Sequence, residues 1–279
     1  MGLQGIGKVS RANLGRVLAN NPAVITSAIV SDSLEIPREE AQKLLARWCK
    51  SGWLSRIKQG AYIALPLEAS SDISTLENPF IIADSLYNPG YVGGFSAVKY
   101  WDFSEQIIET EYYFTTKQVR NLRPVLGDTQ FRLKTVLPYK VFATKALWYG
   151  SKKVLISDPS KTIVDLLDDP RLVGGMTVVL DIFREYMASD YCDFQKLLSY
   201  ATTMQNKTIL KRLGFMVDVK FDQMPEPLIG MERNLSAGYS KYDPTVQCQR
   251  TVDKWKLMVP VSWKDEYDRK KRSNTYRKE

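Results

Sequence analysis

A chain of 279 residues, 44% hydrophobic and 25% charged, has enough apolar material for two domains that each bury a core, and no apolar run approaches the roughly 18 residues that cross a bilayer. Histidine is absent and the three cysteines, Cys49, Cys192 and Cys248, lack metal-ligand spacing, which excludes Ser-His-Asp and Cys-His catalysis and argues against a zinc site or a disulfide framework. The net charge of +8 gathers at the ends: residues 1 to 70 hold nine Lys/Arg against five Asp/Glu, the stretch from Lys264 seven against four, and the long middle is left at +1. That distribution suits a neutral body with a polyanion-binding head and a basic tail. Met1 to Lys8 have no secretory pattern, so a cytoplasmic location with no membrane partner is expected.

In chain order, Ser10 to Asn20 places Leu14, Val17 and Leu18 at helical spacing behind a serine cap, and Asn-Asn-Pro ends the helix. A short second helix is expected to carry Ile25, Ala28, Ile29 and Leu34, and Pro37 then sits in the first turn of a third. In that third helix Ala41, Leu44, Leu45 and Trp48 share the face that turns inward. The opposite face carries Glu39, Lys43, Ala46 and Lys50, flanked by Gln42 and Arg47, with Arg38 at the N-terminal turn. Gln and Arg can make paired hydrogen bonds to base edges in the major groove, and Lys can neutralise phosphate. Glu39 fits less well, unless it accepts from a cytosine amino group.

Basic residues opposite an apolar stripe also describe an ordinary solvated helix, so the segment that follows decides the reading. Trp53 to Ile57 and Ala61 to Leu65 are two apolar-rich runs joined by Lys58-Gln59-Gly60, which predicts a hairpin with Arg56 and Lys58 at its tip. Three helices followed by a basic hairpin make a winged helix-turn-helix over residues 1–69 that binds double-stranded DNA. The DNA-contacting residues are predicted to be Arg38, Gln42, Lys43, Arg47, Lys50, Arg56, Lys58, Gln59 and Gly60.

A polar linker is expected over residues 70–75, then a larger domain of mixed α and β over 76–263, so that the fold class is α+β. Its elements are a helix over Pro79 to Tyr87 with Phe80, Ala83, Leu86 and Tyr87 inward, a tight turn at Gly93-Gly94 before a short helix, and an alternating strand in IIETEYYFTT. Short strands follow at Gln130 to Thr135, Ala146 to Tyr149 and Lys153 to Ile156. Helices are then expected from Asp158-Pro159 to Leu167, Met176 to Met187, Asp193 to Tyr200 and Lys207 to Phe215. Asp165, Asp168 and Asp169 end one helix and Glu109 and Glu111 share a strand face. After Gly150-Ser151 no D-x-D or D-x-E follows, so these acids read as solvated. No catalytic residue, metal or cofactor is expected. The tail over 264–279, with Lys270-Lys271-Arg272, is expected as a solvated end or as a source of extra phosphate contacts.

Four stretches, GWLSRIKQGAYIAL, YVGGFSAVKYWDF, VLISDPSKTIVDLL and LSAGYSKYDPTVQCQRTVDKWKLMVPV, resemble in order and spacing the AbiEi family, antitoxins of bacterial type IV toxin-antitoxin systems linked to abortive phage infection. In the first, Arg56, Gly60 and Tyr62 occupy the family's positions. The resemblance runs over residues 10 to 263. It implies a transcriptional autorepressor whose winged helix binds inverted repeats in its own promoter, and a C-terminal domain that opposes a nucleotidyltransferase-like toxin. Whether antitoxin and toxin touch, and whether the protein is a monomer or dimerises on DNA, stay open. The competing reading is a non-enzymatic module whose winged helix docks protein, and a third is an unrecognised enzyme.

Overall fold

The computed structural model describes residues 7–65 and 78–276, and the linker expected at 70–75 lies outside them. Among the described residues no helix is long and apolar enough to cross a membrane. The chain is mixed α and β. Its elements are α1 (Lys8–Leu18), β1 (Ile25–Thr26), α2 (Ser27–Leu34), α3 (Arg38–Lys50), β2 (Leu54–Lys58), β3 (Ala61–Ala64), α4 (Pro79–Tyr87), β4 (Gly90–Val92), α5 (Gly94–Tyr100), β5 (Glu111–Thr115), β6 (Val125–Leu126), β7 (Thr129–Thr135), β8 (Thr144–Tyr149), β9 (Lys152–Ser157), α6 (Pro159–Asp168), α7 (Met176–Ala188), α8 (Phe194–Thr203), α9 (Lys207–Lys220), β10 (Ser240–Lys241), β11 (Arg250–Val252), β12 (Leu257–Val259) and α10 (Val261–Tyr276). Contacts group Met1–Tyr91, Glu109–Thr135 and Ala146–Val154 into a first unit, and Val92–Ile108, Val136–Lys145 and Leu155–Glu279 into a second.

In the first unit Leu14 and Val17 of α1, Val30 and Leu34 of α2, and Ala41, Leu45 and Trp48 of α3 share one core with Leu54 of β2. Ser10 is not the cap of α1, which starts two residues earlier behind Gly7; its hydroxyl instead accepts a hydrogen bond from Trp48 Nε1 at 2.8 Å. Ile25 lies outside α2. It pairs with Tyr62 across β1 and β3, and Thr26 caps the helix in its place by accepting from Ile29 N. A buried β-branched residue suits the strand, and a threonine oxygen suits the cap. The small sheet has the order β1-β3-β2 and is antiparallel throughout. Lys58 is still paired, opposite Ala61, so the turn is Gln59-Gly60 with Gly60 at φ +78°, and the register slips between Arg56 and Lys58.

Beyond it, α4 is capped by the Asn78 side chain and buries Ile81, Ile82, Ala83 and Tyr87; Phe80 and Leu86, expected inward, are only half-buried. β5 does not alternate. Tyr112 to Thr115 are all buried because β5 runs parallel to β7, and parallel strands are covered on both faces. Glu109 lies outside this strand and does not share its face with Glu111. β6 pairs antiparallel with the other edge of β7.

The second unit is organised around α6, capped by Asp158, which accepts from Lys161 N at 2.7 Å as the Asp-Pro pair predicts. The acids of this helix are not solvated. Asp165 is buried against Lys161 Nζ at 2.5 Å, Asp168 accepts from Lys140 Nζ at 2.9 Å and Asn206 Nδ2 at 2.8 Å, and Asp169 pairs with Arg171. Arg212, also buried, donates to the carbonyls of Leu167, Asp168, Lys241 and Tyr242. The sheet β10-β12-β11 was not anticipated. Nor was α10: residues 261–276 are helical, with Tyr267 4% exposed, Lys264 paired to Asp268, Lys220 to Glu266, and Lys270 Nζ bonded to the Phe221 carbonyl.

Burial pushes the Tyr267 phenol from its ordinary 10 up to about 12, and its hydroxyl has no hydrogen-bond partner among the described residues. The folded chain therefore holds this proton more tightly than the unfolded chain does. Its contribution is intact below pH 10 and is lost as pH rises towards 12, by up to about 2 kcal/mol. Tyr267→Phe is expected to match the parent in urea unfolding at pH 7 and to exceed it near pH 12.

Candidate nucleic-acid interface

The inward face of α3 fixes what the outward face presents. With Ala41, Leu45 and Trp48 buried, Arg38, Gln42, Lys43, Arg47 and Lys50 are all exposed. At 100° per residue, Glu39, Lys43, Arg47 and Lys50 share an arc of about 80°. The charge along this arc is graded: Glu39 and Glu40 occupy the first turn, where they suit the helix dipole, and Arg47 and Lys50 occupy the last. Among the described residues, Arg38, Gln42, Lys43, Arg47 and Lys50 make no ion pair or hydrogen bond through their side chains. Arg47 also lines a cavity of about 450 Å³ with Lys8, Asn13 and Trp48, between α1 and α3.

At the hairpin, Arg56, Gln59 and Gly60 are exposed, and Arg56 Nε donates to the Lys58 carbonyl at 3.4 Å, which holds the guanidinium close to the turn. Lys58 is placed differently. Its Nζ lies 4.8 Å from the centroid of the Tyr87 ring and 3.4 Å from the Tyr87 hydroxyl, turned towards α4. Burial, and then the neighbouring charge of Lys117, push its pKa down. The hairpin is also tied to β6, because Gly127 N donates to the Ile57 carbonyl at 3.5 Å. The structure thus brings eight of the nine sequence-predicted residues to exposed positions on α3 and the hairpin, and sets Lys58 against the protein.

A group of cations in the same unit escaped sequence reasoning. Lys117 follows β5, and its Nζ donates to the Leu86 carbonyl at the end of α4. Arg132 and Lys134 share a face of β7, and each lies over an aromatic ring of β5: Arg132 at 5.7 Å from Tyr112, Lys134 at 5.4 Å from Phe114. Arg123 and Arg132 line one cavity of about 280 Å³ with Thr110 and Gln130. The signal was available: between Lys117 and Lys153 the chain has nine Lys/Arg and one acid, Asp128, a local charge of +8. Among the described residues no group of three His, Cys, Asp or Glu is placed to hold a metal ion.

No protein-family model matches the chain, nor does any curated protein sequence. Among solved structures it is similar to the crystal structure of the RV2827C protein from Mycobacterium tuberculosis, with a TM-score of 0.59 and 11% identity, over 92% of this chain and 93% of that one. At that identity the likeness is one of fold. It extends over nearly the whole length, so the relative shares more than the N-terminal helices.

Proposed function

We propose that residues 7–65 are a winged helix-turn-helix that binds double-stranded DNA, and that the chain is an AbiEi-like autorepressor and antitoxin of a type IV toxin-antitoxin system. The observation that carries the reading is the exposed face of α3, with Arg38, Gln42, Lys43, Arg47 and Lys50 unengaged beside a three-stranded sheet whose hairpin ends in Arg56 and Gln59-Gly60. In this reading α3 enters the major groove, which admits one helix. Gln42 and Arg47 read adenine or guanine edges, Lys43 and Lys50 meet phosphates, and Arg56 reaches the backbone alongside. The remainder of the chain opposes a nucleotidyltransferase-like toxin, as the family resemblance implies.

The test is equilibrium binding of the full chain to the duplex immediately upstream of its own reading frame and to a scrambled duplex, over a range of salt. Gln42→Ala/Arg47→Ala is expected to lose most of the preference for the upstream duplex, since each paired base contact is worth about 1–3 kcal/mol. Equal binding of the parent protein to both duplexes would overturn sequence recognition. The same variant is expected to protect cells from the neighbouring toxin as well as the parent does, because α3 serves repression alone. Loss of protection by the folded variant would tie the two activities together.

A further inference from the structure

Lys58 is the cation that a wing would set against phosphate, and the structure turns it towards α4 instead. The slip in register after Arg56 leaves Ile57 as the extra residue of the hairpin, and a bulge of this kind re-aims the side chain that follows it. Arg56 stays exposed. Lys58 is half-buried, with Nζ 3.4 Å from the Tyr87 hydroxyl and 4.8 Å from the centroid of its ring. The receiving end suits a cation. Tyr87 is the last residue of α4, whose final turn carries no basic residue of its own, and the carbonyls there form the negative end of the helix. The ring is also fixed in place: Tyr87 is 6% exposed, and its carbonyl accepts from the Thr115 hydroxyl at 2.5 Å. A ring face and a phenol oxygen already held still take up an ammonium without first having to be ordered. A phosphate on the outside of a duplex offers Lys58 less, because that contact stays in water and weakens with salt, whereas the contact with Tyr87 is partly shielded from both.

We propose that Tyr87 is a positioning residue for the wing: it holds Lys58 off the DNA, so that the hairpin meets the backbone of a duplex through Arg56 and the Gln59-Gly60 turn. This rests on the DNA-binding reading above. Gly60, at φ +78° and with open space where a Cβ would stand, lets the backbone of the turn come close to a phosphate. Tyr87 thereby keeps the sequence-independent part of the affinity below what the charge of the hairpin would give, and leaves the base contacts of α3 untouched.

The experiment measures affinity of the full chain for the upstream and scrambled duplexes at a series of salt concentrations. Lys58→Met keeps the apolar stem and removes the charge, and it is expected to leave both affinities and the slope of log affinity against log salt at their parent values. Tyr87→Leu is expected to tighten both duplexes several-fold and to steepen the slope by about 0.9, the value for one more neutralised phosphate. Tyr87→Phe retains the ring face and should keep the parent slope, and Tyr87→Leu/Lys58→Met should return to it; these two variants separate the release of Lys58 from a general loosening of α4. A slope that falls by about one in Lys58→Met would overturn the proposal, since Lys58 would then already meet a phosphate, and would leave DNA binding itself in place. A folded Tyr87→Leu protein with the parent slope would overturn it too. A parent protein that binds neither duplex would overturn both readings.

Discussion

Lys161→Met is expected to destabilise the second unit by about 3–5 kcal/mol, because it strands Asp165 as a charge deep inside α6. The Lys161 side chain is fully buried and its ammonium lies 2.5 Å from Asp165 and 5.0 Å from the Phe142 ring centroid. A loss of that size is a large part of the 5–15 kcal/mol typical of a folded domain. Lys161→Met/Asp165→Leu should recover most of it, since a buried ion pair replaced by apolar residues of similar volume is often neutral or better. Urea unfolding of the two variants measures the difference. A double variant as unstable as the single one would mean that the pair is not what holds this helix.

Gly214→Ala is expected to cost about 3 kcal/mol, against the usual gain of about 1 kcal/mol when a helix interior exchanges glycine for alanine. A Cβ at Gly214 would stand 2.0 Å from Cζ3 and 2.4 Å from Cη2 of Trp255. The indole has nowhere to go: it is fully buried, and its Nε1 donates to Asp218 at 2.8 Å. Gly214→Ala/Trp255→Leu should be less destabilised than the sum of its parts, because the two substitutions share one space. A raised melting temperature for Gly214→Ala alone would refute the close approach of α9 to this ring.

The N-terminal helices were legible because their information is local. Leu14 and Val17, and Ala41, Leu45 and Trp48, repeat at helical spacing, and the exposed face of α3 follows from the buried one. The same holds for α6, where Asp158-Pro159 announces the first turn. Ile25 was misread since a two-residue strand has no period, and its partner Tyr62 lies far along the chain. β10, β11 and β12, at two or three residues each, fail for the same reason. The tail looked solvated on charge alone. The pair Trp263 and Tyr267, four residues apart, was the missed clue: both rings pack on Phe215, at 6.0 and 5.7 Å between centroids, and anchor α10.

On α3 the exposed residues could be named from the sequence, whereas the placement of Lys58 depends on Tyr87, which no local pattern links to the hairpin. The cations of segment 117–134 were hidden by averaging. Counted over the whole middle of the chain the charge is +1, and only a shorter window exposes the run from Lys117 to Lys153.

The first unit is assembled from three separate stretches of chain, with the hairpin bonded to a turn that lies some seventy residues further on. A gene exchange with a single crossover between the N-terminal helices and the remainder would thus deliver a new α3 without the β6–β7 turn and the Tyr87 ring that steady its hairpin. If α3 reads DNA as proposed above, new operator specificity is reached more readily by point substitution on its outer face, where the side chains of Arg38, Gln42, Lys43 and Lys50 are bonded to no other described residue, than by trading heads.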